Sequence, residues 1–206
     1  MYTRLASISE TLRQFLHDGM VADVGPGGLA SFFSGGAMQT TVFTPQEMTR
    51  QQLQGLSVWL YRVVRDESRN NDPPRLRPRA GGQVEVLPPP LPLRLHYLMT
   101  PLSDDSPDTE QRILGRVLQL LHSTPELTGA ALRGDLAGSD ASLTARLEAL
   151  SLDEISRVWE AMEGSFQLSV SYEVSLALID SIAQVQREAP VESARVDQGL
   201  WVGDRP

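Results

Sequence analysis

Cysteine and lysine are both missing from this chain of 206 residues. Without cysteine there are no disulfides, no thiolate metal ligands and no cysteine nucleophile. Without lysine there is no phosphate-loop lysine, no Schiff base and no serine–lysine catalysis. All 18 basic residues are therefore arginine, against 26 acidic ones, and the net charge is −8. A nucleic-acid binder normally carries a basic face, so that class is disfavoured. Imidazole is scarce, supplied only by His17, His96 and His122. Long apolar runs are absent too. Nowhere do about 18 apolar residues follow one another, and Met1–Glu10 lacks the apolar core of a secretory signal. The expectation is a cytoplasmic chain with no membrane span.

What is present fits a folded domain. The hydrophobic share is 41%, and 206 residues suit one core better than two. Leu5, Ile8, Leu12, Phe15 and Leu16 recur at helical spacing, predicting an amphipathic helix that stops near Gly19. A glycine-rich segment, residues 25–36, follows and reads as a loop that orders on a partner. A short strand is expected over Gln39–Phe43. Val58–Val64 is apolar at both parities, which predicts a strand covered on both faces and central to its sheet.

From Asp66 to Pro92 the chain is polar, then rich in arginine and proline. Proline at that density favours extended polyproline without sheet pairing, so this stretch reads as an arm. Leu93, Leu95, Tyr97 and Met99 then alternate in a strand closed by Thr100-Pro101. Ser106-Pro107, with Asp108 and Glu110, opens a helix that buries Ile113, Leu114, Val117, Leu118 and Leu121. A strand is expected from Leu143 to Leu150. The capping box Ser151–Glu154 starts a helix presenting Leu152, Ile155, Val158, Trp159 and Met162 to the core. From Phe166 to Leu178 apolar and polar residues alternate over a length well beyond an ordinary strand, so this ribbon bends or reaches outside the domain. These elements predict an α+β domain over residues 1–183, a mixed and mostly antiparallel sheet with flanking helices. A polar, irregular tail is expected over 184–206.

Little of this points to catalysis. His96 has no second histidine or acidic residue at metal spacing along the chain, so it reads as a packed, hydrogen-bonded strand residue. His17 and His122 sit near helix ends. Asp104-Asp105, with Asp108 and Glu110, matches no calcium-loop spacing and suits helix capping. Gly25–Gly28 lacks the spacing of a dinucleotide loop, and there is no G-x-S-x-G elbow. No catalytic residue, metal or cofactor is expected.

Charge is distributed unevenly. Arg62, Arg65, Arg69, Arg75, Arg77 and Arg79 outnumber Asp66, Glu67 and Asp72 in an otherwise acidic chain. A basic arm docking on an acidic face of another copy would join two different patches, which closes a ring or runs on as a filament. The candidate interface residues are Arg65, Arg69, Arg75, Arg77 and Arg79, the loop glycines Gly27, Gly28, Gly35 and Gly36, and Glu173 on the polar side of the long ribbon.

Several segments carry a resemblance. Pro90-Leu91-Pro92-Leu93-Arg94-Leu95-His96-Tyr97-Leu98-Met99-Thr100-Pro101 is one. Residues Ile113 to His122, Leu150 to Trp159 and Leu168 to Tyr172 follow in matching order. Together, across about Leu5 to Ile182, the chain resembles the cap or tail-terminator proteins of phage-tail-like contractile injection systems, of the antifeeding-prophage and virulence-cassette kind. That resemblance implies a tail-terminator-like fold and a non-enzymatic role. Six copies would form a ring on the baseplate-distal end of the inner tube, stopping tube and sheath growth and anchoring the sheath. The implied partners are further copies and the tube and sheath proteins, with no nucleic acid, and the chain would finish as part of the assembled particle. Two other readings remain at this point: an assembly adaptor or chaperone, and a small enzyme using His96 and Asp104-Asp105.

Overall fold

The computed structural model describes residues 3–69, 75–78, 84–87, 91–179 and 186–188. They form two compact units. The larger is the expected α+β domain, a six-stranded mixed sheet with five helices. Its strands are β1 (Gln39–Thr41), β2 (Gly55–Arg65), β5 (Leu91–Leu102), β6 (Glu126–Thr128), β7 (Ser142–Leu147) and β8 (Val170–Ile179), in the order β1-β2-β5-β8-β7-β6. Only the β1–β2 pair is parallel; every other neighbouring pair in this sheet is antiparallel.

The helices are α1 (Arg4–Val21), α2 (Ala30–Ser34), α3 (Pro45–Arg50), α4 (Pro107–Ser123) and α5 (Leu152–Ala161). Their starts follow from local chemistry. Ser106 Oγ accepts from the Thr109 amide with Pro107 at the first helical position, as the sequence predicts. Ser151 and Glu154 form the expected reciprocal capping box. Thr44 and Glu47 form another, starting α3, whose six residues are too few to show helical periodicity.

One apolar core lies between the sheet and α1 and α4. It joins Ile8, Leu12, Leu16 and Met20 of α1 to Ile113, Val117 and Leu121 of α4, across Val58, Leu95, Tyr97, Met99, Tyr172 and Val174. Each fully buried leucine here contributes roughly 1.5–3 kcal/mol relative to exposure. On β5, Leu98 and Thr100 are buried as well as Leu95, Tyr97 and Met99. The doubly covered central strand is thus β5. Val58–Val64 lies in β2, but β1 pairs only with Gly55–Ser57 and Val63 is exposed, so this run is less central than its composition suggests.

Further differences have physical causes. Helix α1 stops near Gly19, at Val21, but Gly19 itself lies within the helix. A Cβ at Gly19 would lie 2.3 Å from Leu120 Cδ1, so glycine there permits close helix contact rather than ending the helix. The glycine-rich segment contains α2 and buries Leu29 and Phe33, so it is anchored to the core and not simply a loop. Long-ribbon pairing begins only at Val170, and its alternation is broken where Leu93 pairs with Ala177 but Leu95 with Val174. Two residues of β8, Ser175 and Leu176, there face one of β5, Arg94, which bends the ribbon. Of the five apolar residues expected to seal α5, only Trp159 is buried, and Leu152 is 71% exposed.

The smaller unit is an antiparallel sheet of β3 (Arg75–Pro78), β4 (Val84–Leu87) and β9 (Gln186–Glu188), in the order β3-β4-β9. Pieces of the expected arm, residues 75–78, 84–87 and 91–92, are therefore paired, while Pro73, Pro74, Pro88, Pro89 and Pro90 lie outside the described residues. Two prolines suffice to show why: Pro78 ends its strand, and Pro92 lies inside β5, paired in register with Leu178. Gln186–Glu188, expected in an irregular tail, pairs with Val84–Val86. The rest of that tail, with Leu200-Trp201-Val202, lies outside the described residues.

Candidate functional site

The candidate interface residues fall in different places. Gly27 and Gly36 adopt φ of +72° and +75°, a region that favours glycine. Gly28 is required for space, since a Cβ there would lie 2.0 Å from the Asp23 carbonyl oxygen. Asp23 holds the turn twice, its carbonyl accepting from the Ala30 amide and its Oδ2 from the Leu29 amide. Gly27, Gly35 and Gly36 are exposed on either side of the anchored α2. Arg65 ends β2 and is exposed, while Arg69 closes a 3-10 turn, its amide donating to the Asp66 carbonyl. Arg75 and Arg77 lie on β3, where the register sets Arg77 across from Glu85 and Glu85 across from Arg187. Arg79 lies outside the described residues.

Glu173 is not a simple surface charge. It pairs in register with His96 on one side and Arg146 on the other. Arg94 Nη1 lies 3.6 Å from its carboxylate, while Arg94 Nη2 donates to Asp66 at 2.9 Å. Asp66 also accepts from the Ser68 hydroxyl and amide. The Ser68 hydroxyl first, then Arg94, hold the Asp66 carboxyl below its usual range.

His96 is packed in a strand and hydrogen-bonded, as expected, but its partners come from elsewhere in the chain. Its Nδ1 lies 2.9 Å from Glu148 Oε1, and the Tyr61 ring meets the imidazole edge-on. The other Glu148 oxygen accepts from the Ser171 hydroxyl, which lies 3.0 Å from the Tyr61 hydroxyl. Burial pushes the Tyr61 phenol up from its usual range. Glu148 follows β7, and its amide donates to the Ser171 carbonyl, fixing it beside β8. Sequence spacing gives no hint of this cluster, because 52 residues separate His96 from Glu148. Asp104 and Asp105 take local roles instead: Asp104 accepts from Gln54, and Asp105 from the Thr109 hydroxyl. His122 is exposed in the last turn of α4.

Beside the cluster an open groove of about 380 Å³ is lined by Trp59, Tyr61, Leu150, Val158 and Ala161, with Arg62 and Arg157 among its polar residues. Trp159 Nε1 donates to Ser169, and Phe166 packs edge-on against the indole. The arrangement offers contact surface and electrostatic anchoring. Among the described residues, no helix is long and apolar enough to cross a membrane.

The comparisons agree with this architecture. Residues 7–193 match the model of the Pvc16 N-terminal domain family. A cryo-EM structure of the anti-feeding prophage cap, described as a tube-terminating cap, matches 95% of this chain at 18% identity and a TM-score of 0.60. The sheath/tube terminator of an extracellular contractile injection system, PVC, in its extended state, matches 72% at 21% identity and a TM-score of 0.49. The matches cover 60% and 52% of those chains, so this chain corresponds to little more than half the length of each. No curated protein sequence matches. With the family model spanning nearly all of the chain, this protein belongs to the Pvc16 N-terminal domain family.

Proposed function

We propose that this chain is a structural cap, a tube terminator of a contractile injection system, acting by association rather than catalysis. In this reading six copies form a ring on the baseplate-distal end of the inner tube. The ring ends tube and sheath growth and anchors the sheath, after assembly in the cytoplasm. The observation that carries the reading is the fold match to a tube-terminating cap over 95% of the chain, together with the family model over residues 7–193.

Physical features support it. A ring requires two different patches that complement each other. Within the larger unit, the exposed Arg62 and Arg65 of β2 and the exposed glycine turns around α2 are candidates for such patches on a chain of net charge −8; Arg75 and Arg77 belong to the smaller unit. The groove beside Trp59 and the exposed Leu152 offer apolar area to a partner.

The test is electron microscopy of particles made with and without this chain. Overlong or sheath-shedding particles lacking density at the end opposite the baseplate are the expected result. Normal lengths and intact ends in its absence would overturn the cap role and return the adaptor reading.

A further inference from the structure

Among the described residues, one group of histidine and carboxylate side chains gathers closely enough to share an ion: His96, Glu148 and Glu173. One ring nitrogen and one oxygen from each carboxylate lie within 4.8 Å of one another. Tetrahedral coordination with bonds of about 2.0–2.2 Å places ligand atoms roughly 3.3–3.6 Å apart. His96 Nδ1 and Glu148 Oε1 are within that spacing, at 2.9 Å, and an ion would draw Glu173 in to meet them.

The cluster is also built rather than merely acidic. The His96 side chain is 8% exposed, and its Nε2 is buried with no hydrogen-bond partner among the described residues. With Nε2 making no bond among the described residues, no hydrogen bond on that side fixes the ring, and Nδ1 is the nitrogen turned toward the carboxylates. Glu148 is held by the Ser171 hydroxyl on one oxygen, leaving the other toward His96. The Tyr61 hydroxyl in turn meets Ser171, and this outer shell orients the carboxylate as outer partners do around bound metals. Arg94 is the cation in contact with Glu173. Its contact to Asp66 at 2.9 Å is tighter than that to Glu173 at 3.6 Å, so Glu173 can turn away while Arg94 keeps a partner.

From this geometry we infer that His96, Glu148 and Glu173 form a divalent-cation site that ties β5, β8 and the segment after β7 together. An imidazole with two carboxylates suits a borderline ion such as Zn²⁺ better than Mg²⁺ or Ca²⁺, which favour all-oxygen shells. The inference is independent of the cap reading, since it concerns the isolated chain and its stability.

The probe is Zn²⁺ added to chelator-treated protein, followed by calorimetric titration and thermal unfolding, with Mg²⁺ in parallel. Saturable binding of one Zn²⁺ per chain and a melting temperature raised by several degrees are expected, with no such response to Mg²⁺. Glu173→Gln, which keeps the side-chain shape and the fold, should weaken binding at least about tenfold. The double variant His17→Asn/His122→Asn should bind as the parent does. Absence of saturable binding, unchanged binding in Glu173→Gln, or loss of binding in the double variant overturns the site. Glu148→Gln should weaken binding likewise; should it fail to fold, Glu173→Gln alone decides.

Discussion

The Tyr97 hydroxyl lies 2.8 Å from the Ser9 hydroxyl, joining the centre of β5 to α1 through an otherwise apolar core. The tyrosine is fully buried, and burial pushes its phenol well above the usual range. Ser9 has a second partner in the Leu5 carbonyl at 3.2 Å. Tyr97→Phe should therefore cost only about 0.5–1.5 kcal/mol, the net value of one hydrogen bond. Tyr97→Ala, which empties the site, should cost about 3–5 kcal/mol by analogy with other aromatic truncations. Urea denaturation of both variants measures the difference.

Gly55 begins β2 at φ +122°, and a Cβ there would lie 2.1 Å from the Gln39 carbonyl oxygen. Backbone strain alone is worth about 1–3 kcal/mol at such a position, and relieving the clash separates β1 from β2. Gly55→Ala should lower stability by at least that much. Hydrogen exchange should show lost protection at the Gln39 amide, which donates to Gln54 beside the clash; unchanged protection would count against this account.

Trp159 is 2% exposed and the one well-buried residue of α5. Trp159→Ala should cost about 3–5 kcal/mol in chemical denaturation. Leu152→Ala, at a position 71% exposed, should be nearly neutral in the isolated chain. A loss of particle assembly in Leu152→Ala with unchanged folding would mark that residue as a contact.

Acid should destabilise the fold through specific carboxylates. Asp66 is held low by the Ser68 hydroxyl and Arg94, and Glu10 by its hydrogen bond from Arg13. Because their folded-state values lie below the unfolded range near about pH 4, their contribution is complete above that range. It is lost as pH falls through the lowered values. Asp66→Asn should lower stability at neutral pH and make little difference near pH 2, as read from urea midpoints across that range.

The basic arm has its own test. Arg75, Arg77 and Arg79 replaced together by Glu should weaken assembly without unfolding the larger domain. The comparison belongs at low salt, where screening between charges is weakest. Full assembly of the triple variant there would remove charge complementarity from the proposal.

The order of main elements, both predicted helix caps and the α+β class follow from the sequence itself. They rest on interactions within a few residues: Ser106 with Thr109, Ser151 with Glu154, and the alternation of Leu95, Tyr97 and Met99. The family resemblance is legible in the sequence for the same reason, carried by contiguous motifs such as residues 90–101. Features depending on distant neighbours are not. Gly19 looks like a helix stop until Leu120 arrives beside it, and residues 75–78 and 84–87 of the arm look unpaired until β3, β4 and β9 align. The face of α5 looks like core although Leu152 is largely exposed. Above all, His96 acquires Glu148 and Glu173 only because antiparallel pairing of β5, β8 and β7 brings three separate segments to one point. Helical and strand periodicity record which way a side chain faces, but the identity of its neighbour across a sheet is set by register, and register is decided by the packing of the whole core.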